Sequence, residues 1–294
     1  MLGVGMQLFL QQIASGLGIG SIYGLIAVGY VMIFNSVGAF NFAQADIFMA
    51  GAFLSLVFYG ILRLPFLVSF ALVIVGNALL GVLLERVAFR RLLRRQSMNY
   101  MICTIGVGIV LRNAARLVFG TELFTLASPL SEDPLIIGGI VFVPQNLAIL
   151  AATLILSLMI LWFFHRTRIG MAMRAVAQDQ EAARLMGINV GRSISWTYGI
   201  SSGLAGAAAM LVAPLFFIGA EMGPSYGMKA FASFILGGAT SIPGALTGGL
   251  LLGVIENLVG GYVSTTYKDA AAFLVLVIVL FLKPSGILVR GERR

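Results

Sequence analysis

Charge is scarce in this sequence, and so are the residues that most often carry chemistry. Asp, Glu, Lys and Arg make up only 10% of its 294 residues, where a soluble domain of this size carries about a quarter. The single cysteine, Cys103, lies in an apolar run, which excludes an intrachain disulfide and a thiolate metal site. The single histidine, His165, ends an apolar run beside Arg166 and lacks HExxH or other ligand spacing, so no metal is expected. No Gly-Lys dipeptide occurs, so the Lys-bearing phosphate loop for ATP is missing. The N-terminus carries no basic leader and no cleavage-like site, and the first apolar run is expected to stay in the mature chain.

What is present is apolar. Hydrophobic residues make up 60% of the chain and mean hydropathy is +1.02, an excess that water cannot accommodate and lipid can. Long apolar runs recur throughout, predicting a single transmembrane domain over 1–294 with no soluble appendage. Glycine is abundant at 36 residues, as expected where helices approach closely in lipid. The net charge of +8 sits in clusters between apolar runs, which argues for membrane orientation and against nucleic acid.

Spanning the hydrocarbon core takes about 20 apolar helical residues. Candidate spans are 8–34, 45–62, 65–84, 99–118, 145–165, 193–218 and 268–283, with a long interrupted stretch at 228–262. The predicted fold class is an all-α polytopic membrane protein of about eight transmembrane segments, one of them a broken re-entrant hairpin. Gly16, Gly20 and Gly24 recur at four-residue spacing, as do Gly244 with Gly248 and Gly249 with Gly253. Such spacing lines one helix face and predicts packing seams.

Segment 85–97 holds Arg86, Arg90, Arg91, Arg94 and Arg95 against Glu85 alone. Segment 166–192 holds Arg166, Arg168, Arg174, Arg184 and Arg192 against Asp179 and Glu181, and the C-terminus holds Lys283, Arg290, Arg293 and Arg294 against Glu292. Segment 119–144 holds Glu122, Glu132 and Asp133 with no basic residue. The Lys/Arg bias therefore puts the three basic segments, C-terminus included, in the cytoplasm and 119–144 outside. Counting back puts the N-terminus outside. The same parity requires 228–262 to enter and leave on one side, with a break at GGATSIPG (237–244) around Gly237, Gly238 and Pro243. The piece 228–236 would be only about 14 Å long as a helix. Broken backbone at membrane depth is tolerated in protein or beside a polar cavity, so this hairpin is expected near a transport path.

The stretch RTRIGMAMRAVAQDQEAARLMGINVGR (166–192) is too long for a tight turn and too short for a domain. Asp179 can cap a short helix over 180–186, and Gly187 suits the left-handed position beyond it. Ala182, Leu185 and Met186 share one face, with Glu181 and Arg184 flanking it. A helix of this length is marginal alone and should need a docking partner.

Glu181, Ala182, Ala183 and Gly187 fit the start of the EAA-type motif of ABC importer permeases, whose short helix docks on the ATP-binding subunit; the hydrophobic–Leu–Pro ending of that motif is absent. The stretches at 23–53, 85–90, 170–189, 227–258, 267–269 (YKD) and 283–288 (KPSGIL) resemble the high-affinity branched-chain amino-acid permease family nearly end to end. That resemblance implies a multi-subunit importer in the bacterial inner membrane. A periplasmic binding protein would deliver branched-chain, hydrophobic amino acids, and a homologous second permease would complete the pathway. Two cytoplasmic ATPases, which bind ATP and Mg, would supply power. The chain itself would bind no cofactor and catalyse no reaction. Coupling would fall to Asp179, Glu181, Ala182, Ala183, Arg184, Leu185, Met186 and Gly187, with Ala182 and Ala183 at the closest approach to the ATPase.

Other positions carry two readings each. Asp46, near Asn41 and Gln44 in NFAQAD, is either a pathway residue or a helix cap at the cytoplasmic interface. Glu256 is either a transport residue in the hairpin's later arm or a solvated group at its outer end. Arg112 and Arg116 are expected to snorkel to the headgroups. GISSG (199–203) matches the nucleophile elbow around Ser201 but falls inside a predicted helix with no His partner, which makes it a chance match and argues against an intramembrane hydrolase. The competing function is an ion-coupled secondary transporter of small polar solutes, which would carry its own coupling carboxylates at the midplane.

Overall fold

On several of these helices large apolar side chains face outward while small or polar ones are buried. Helix α3 (Phe66–Leu84) makes the point: Ser69, Val73, Asn77 and Gly81 are buried at four-residue spacing, while Leu67, Val75, Leu79 and Leu83 are exposed. A helix that hides Asn and shows Leu has lipid as its solvent. The computed structural model describes residues 4–92, 97–130, 135–137, 140–283 and 286–287. Arg94, Arg95, Glu132, Asp133, Arg290, Glu292, Arg293 and Arg294, which contribute to the orientation argument, lie outside the described residues.

Ahead of α3 come α1 (Val4–Val37) and α2 (Gln44–Ser55), the latter running into a π-helical turn at Leu56–Ile61. After α3 come a second π-helical turn (Glu85–Phe89), α4 (Ser97–Phe119), strands β1 (Leu135–Ile137) and β2 (Ile140–Phe142), and α5 (Pro144–Arg166). Then follow α6 (Arg168–Gln178), α7 (Gln180–Leu185), α8 (Val190–Val212), α9 (Met222–Gly237), α10 (Ile242–Tyr262) and α11 (Lys268–Leu282). Strand pairing among the described residues is confined to the β1–β2 hairpin, with Leu135 opposite Phe142, and a bridge from Phe124 to Ile218. The chain is an all-α polytopic membrane protein, and six of its described helices are long and apolar enough to cross a bilayer. Helix α8, rich in Ser, Gly and Ala, is buried nearly throughout.

The chain forms two compact units, one of Met1–Val28, Ala127–Leu154 and Met228–Arg294, the other of Gly29–Leu126 and Ile155–Gly227. In the first unit the predicted glycine seams are real contacts. A Cβ on Gly16 would stand 2.7 Å from the Cα of Val254, and one on Gly20 would stand 2.6 Å from the carbonyl oxygen of Gly249. Glycines Gly249 and Gly253 answer from α10, each against the α1 backbone. The other α10 seam, Gly244 with Gly248, meets Gly237 and the Ser233 carbonyl of α9.

In the second unit α3 and α8 pack along their lengths. Asn77 links three helices: its Nδ2 donates to the Ile47 carbonyl of α2 at 3.1 Å and to the Ser202 carbonyl of α8 at 2.9 Å. Gly206 makes room for it, with an added Cβ falling 2.8 Å from the Asn77 Cβ. Ser201 lies within α8 and its hydroxyl donates to the Gly29 carbonyl at 3.0 Å, a packing role in place of the elbow geometry.

Candidate functional site

The segment between α5 and α8 is built by consecutive caps. Thr167 opens α6, its Oγ1 accepting from the Gly170 N–H at 3.0 Å. Gly170 lies against the backbone of Phe163 and Phe164, which lets the chain fold sharply back on α5. Asp179 ends α6 and opens α7, its Oδ1 accepting from the N–H groups of Glu181 at 2.8 Å and Ala182 at 3.0 Å. Gly187 closes α7 at φ +81°, a conformation that a Cβ disfavours. Helix α6 was not apparent from the charge pattern. Its signals are the Thr167 cap and the buried positions Gly170, Met173 and Val176 at three-residue spacing.

The two faces of α7 differ sharply. Leu185 is 88% exposed and Met186 82%, with Glu181, Ala182 and Arg184 exposed around them. On the inner side Gln180 Nε2 donates to the Ser36 carbonyl at 2.7 Å, and Ala183 is buried in a cluster with Val176, Val190, Ile194 and Tyr198. The expectation that Ala182 and Ala183 both face outward holds for Ala182 alone. Ala183 follows one residue later, about 100° round the helix, and points into the chain's own core. Beside α7 a recess of about 370 Å³ is bordered by Arg90, Arg184, Asn189 and Glu85. Glu85 is buried and bidentate to Arg90, with Nε–Oε1 at 2.8 Å and Nη2–Oε2 at 2.9 Å. Ser195 donates to Glu85 Oε2 at 2.8 Å.

Asn41, Gln44 and Asp46 are all buried in the second unit. Asn41 Oδ1 accepts from the Ala43 N–H at 3.2 Å and Gln44 Nε2 donates to the Ser201 carbonyl at 3.2 Å. Among the described residues Asn41 Nδ2 and Gln44 Oε1 have no hydrogen-bond partner, leaving a donor and an acceptor for a polar guest or water. Asp46 lies in the first turn of α2, whose cap is Ala43 with no side-chain cap hydrogen bond. What holds its carboxylate is Arg112, with Nη2 and Nε each 3.2 Å from Oδ1. Gly223 admits the carboxylate closely, since a Cβ there would lie 3.2 Å from Asp46 Oδ1. Arg112 therefore does not snorkel as expected but turns inward to Asp46, while Arg116 pairs with the exposed Glu221. A buried carboxylate costs more than a headgroup contact returns, so the guanidinium is drawn to it.

Gly237, Gly238, Pro243 and Glu256 belong to the first unit. The predicted break is a tight turn. Gly238 takes φ +106°, Ser241 Oγ accepts from the Gly244 N–H at 3.1 Å, and Pro243 sits in the first turn of α10, where its missing N–H leaves nothing unpaired. Gly237 and Gly244 touch backbone to backbone. The arms are longer than expected. Helix α9 starts at Met222 and, with 16 residues, reaches about 24 Å; α10, with 21 residues, reaches about 31 Å, enough to cross the hydrocarbon core.

Glu256 is 3% exposed and held by three side chains, which rules out the reading of a solvated group at the hairpin's outer end. Lys229 Nζ lies 2.6 Å from its Oε1, the Tyr23 hydroxyl donates to its Oε2 at 2.9 Å, and Lys268 Nζ lies 3.8 Å away. Lys229 also pairs with Asp269 at 2.7 Å and stands 5.6 Å over the Tyr23 ring. Reading the sequence identified Glu256 but missed Lys229, Tyr23 and Asp269. Lys229, a lone Lys among apolar residues of a predicted span, was the available signal.

The family described as branched-chain amino acid transport system / permease component matches residues 12–280. The chain is 36% identical over 306 aligned residues to the high-affinity branched-chain amino acid transport system permease protein LivH of Salmonella typhimurium, covering 97% of this chain and 96% of that protein. It is 35% identical over 297 residues to the permease protein BraD of the same kind of system in Pseudomonas aeruginosa, covering 97% of each. A probable LivH of Methanocaldococcus jannaschii is 25% identical over 280 residues, covering 90% of this chain and 87% of that one.

Proposed function

Since the chain belongs to the family of branched-chain amino acid transport system permease components, we propose that α7 is where this permease takes up the work of ATP hydrolysis. The protein is the membrane permease of an ABC importer for branched-chain amino acids, a transporter component in the inner membrane and not a catalytic enzyme. Its system includes ATPase and binding-protein partners. Our reading of the finer assembly is two ATPases that carry ATP and Mg, a homologous second permease, and a periplasmic protein that delivers the amino acid. In this reading 85–97, 166–192 and the C-terminus face the cytoplasm.

One observation carries the coupling assignment: two large apolar side chains, Leu185 and Met186, stand almost fully exposed on a helix too short to be stable alone. The helix is fixed from behind by the Asp179 cap, the Gln180–Ser36 hydrogen bond and Ala183 in the core. A rigid mount with an apolar tip suits insertion into a partner's cleft, with Glu181 and Arg184 setting register at the rim. Because Leu185 and Met186 touch little of their own chain, Leu185→Asp with Met186→Asp should leave the permease inserted and monodisperse. The pair should remove ATPase subunits from the purified complex and stop ATP-driven uptake in proteoliposomes. Normal ATPase association and uptake by the double variant would mean that α7 is not the coupling element.

A further inference from the structure

A crevice of about 670 Å³ opens in the second unit between α3, the later half of α5 and α8. Its walls are apolar for almost their whole length. Ile74, Ala78 and Val82 line it from α3, and Leu156, Met159 and Ile160 from α5. On the α8 side Gly199, Gly203 and Ala207 leave the wall low between Trp196, Ile200 and Leu204, which opens a groove along α3. Helices α3 and α8 run in opposite directions here, because Gly203 meets Ile74 while Gly199 meets Val82. Arg86 at the end of the α3 stripe and Arg192 at the start of the α8 stripe therefore share one mouth, with Trp196 a turn inside it.

Neither guanidinium has a hydrogen-bonded or ion-paired partner among the described residues, and the nearest buried acid is already taken. Glu85, beside Arg86 in sequence, gives both its oxygens to Arg90. The mouth thus presents two uncompensated cations above an apolar channel. From Arg86 to Ile74 the α3 wall rises over about 18 Å, and from Arg192 to Ala207 the α8 wall rises over about 22 Å. One leaflet of hydrocarbon is about 15 Å deep, with the headgroup layer beyond it. The groove therefore runs from headgroup level to the leaflet's inner limit, the reach of one acyl chain.

We propose that this crevice is a binding site for one anionic phospholipid, its phosphate held between Arg86 and Arg192 and one acyl chain laid along Ile74, Ala78, Val82 and Ala207. The charge at the mouth selects the lipid, since two arginines near a membrane surface favour an anionic headgroup over a zwitterionic one. Trp196 sits where an indole prefers to lie, between headgroup and chain. The site is independent of the α7 assignment and needs no partner subunit.

Trp196 is also the reporter. The chain has two tryptophans, and Trp162→Phe on the exposed side of α5 leaves Trp196 alone. The full-length variant is reconstituted in phosphatidylcholine vesicles containing equal fractions of either brominated phosphatidylglycerol or brominated phosphatidylcholine. Relative association from Trp196 quenching should favour the anionic lipid by about tenfold. Adding Arg86→Ala and Arg192→Ala should bring the ratio to about one, whereas Arg86→Lys with Arg192→Lys should keep most of it. Equal quenching by the two lipids in the parent, or a preference that survives loss of both arginines, overturns the proposal. So does a Trp196 shielded from both lipids, as it would be beneath a second copy of the chain.

Discussion

Removing the lysine and removing the carboxylate from the Lys229–Glu256 pair should have very different costs, and the difference can be worked from their neighbours. Glu256 is buried and receives Lys229 at 2.6 Å, the Tyr23 hydroxyl at 2.9 Å and Lys268 only at 3.8 Å. Lys229→Met leaves that carboxylate with a hydroxyl and one distant ammonium. Breaking a buried pair from one side costs about 3–5 kcal/mol, and Lys268 offsets part, so about 3 kcal/mol is expected. Glu256→Gln is milder. The amide oxygen still accepts from Tyr23, and Lys229 keeps Asp269 at 2.7 Å, an oxygen on a 58% exposed side chain. The loss there should be about 1 kcal/mol. The double variant Lys229→Met with Glu256→Gln should recover much of the damage, because no buried charge is stranded and Asp269, which loses Lys229, is exposed. Equilibrium unfolding of the full-length chain in mixed micelles reads all three. A Glu256→Gln chain less stable than Lys229→Met, or a double variant whose loss equals the sum of the singles, would refute the argument.

Asn77→Leu, close to isosteric, should cost about 1–2 kcal/mol for two interhelical hydrogen bonds, and Asn77→Asp more, because it sets an oxygen against two carbonyl oxygens; the same unfolding assay ranks them. For topology, a single cysteine at Gln180 in a Cys103→Ser chain should react with an impermeant maleimide only after the cells are opened, and labelling of intact cells from outside would reverse the orientation drawn from the Lys/Arg clusters.

The parts of this structure that were legible in the sequence are the ones written locally. Helix length against bilayer thickness gave six spans long and apolar enough to cross, four-residue glycine spacing gave the packing faces of α1 and α10 though not their pairing, and Asp179 and Gly187 gave both ends of α7. Local writing also misled. The interrupted stretch reads as starting at 228, yet α9 begins at Met222, since Pro224 in its first turn gives up an N–H that has no helical acceptor. Ala183 was assigned to the wrong face because six residues hold too few turns to define one. The pairings had no local trace at all. Asp46 and Arg112 are 66 residues apart, Glu85 and Ser195 are 110, and Tyr23 and Glu256 are 233. Such contacts depend on which helices meet, and a pattern of period 3.6 carries no information about that.

These pairings bear on how transport is driven. An ion-coupled transporter needs a buried carboxylate that can take up and release a cation, and each candidate is already occupied. Among the described residues the buried carboxylates are Asp46, Glu85 and Glu256, and each lies within 3.2 Å of a guanidinium or ammonium group of its own unit. Among the described residues, then, no buried carboxylate is left without a cationic partner, and in the transport systems of the family to which the chain belongs the driving force enters from ATPase partners. The exposed Leu185–Met186 tip on a rigidly mounted α7 is a surface through which such a force could be delivered.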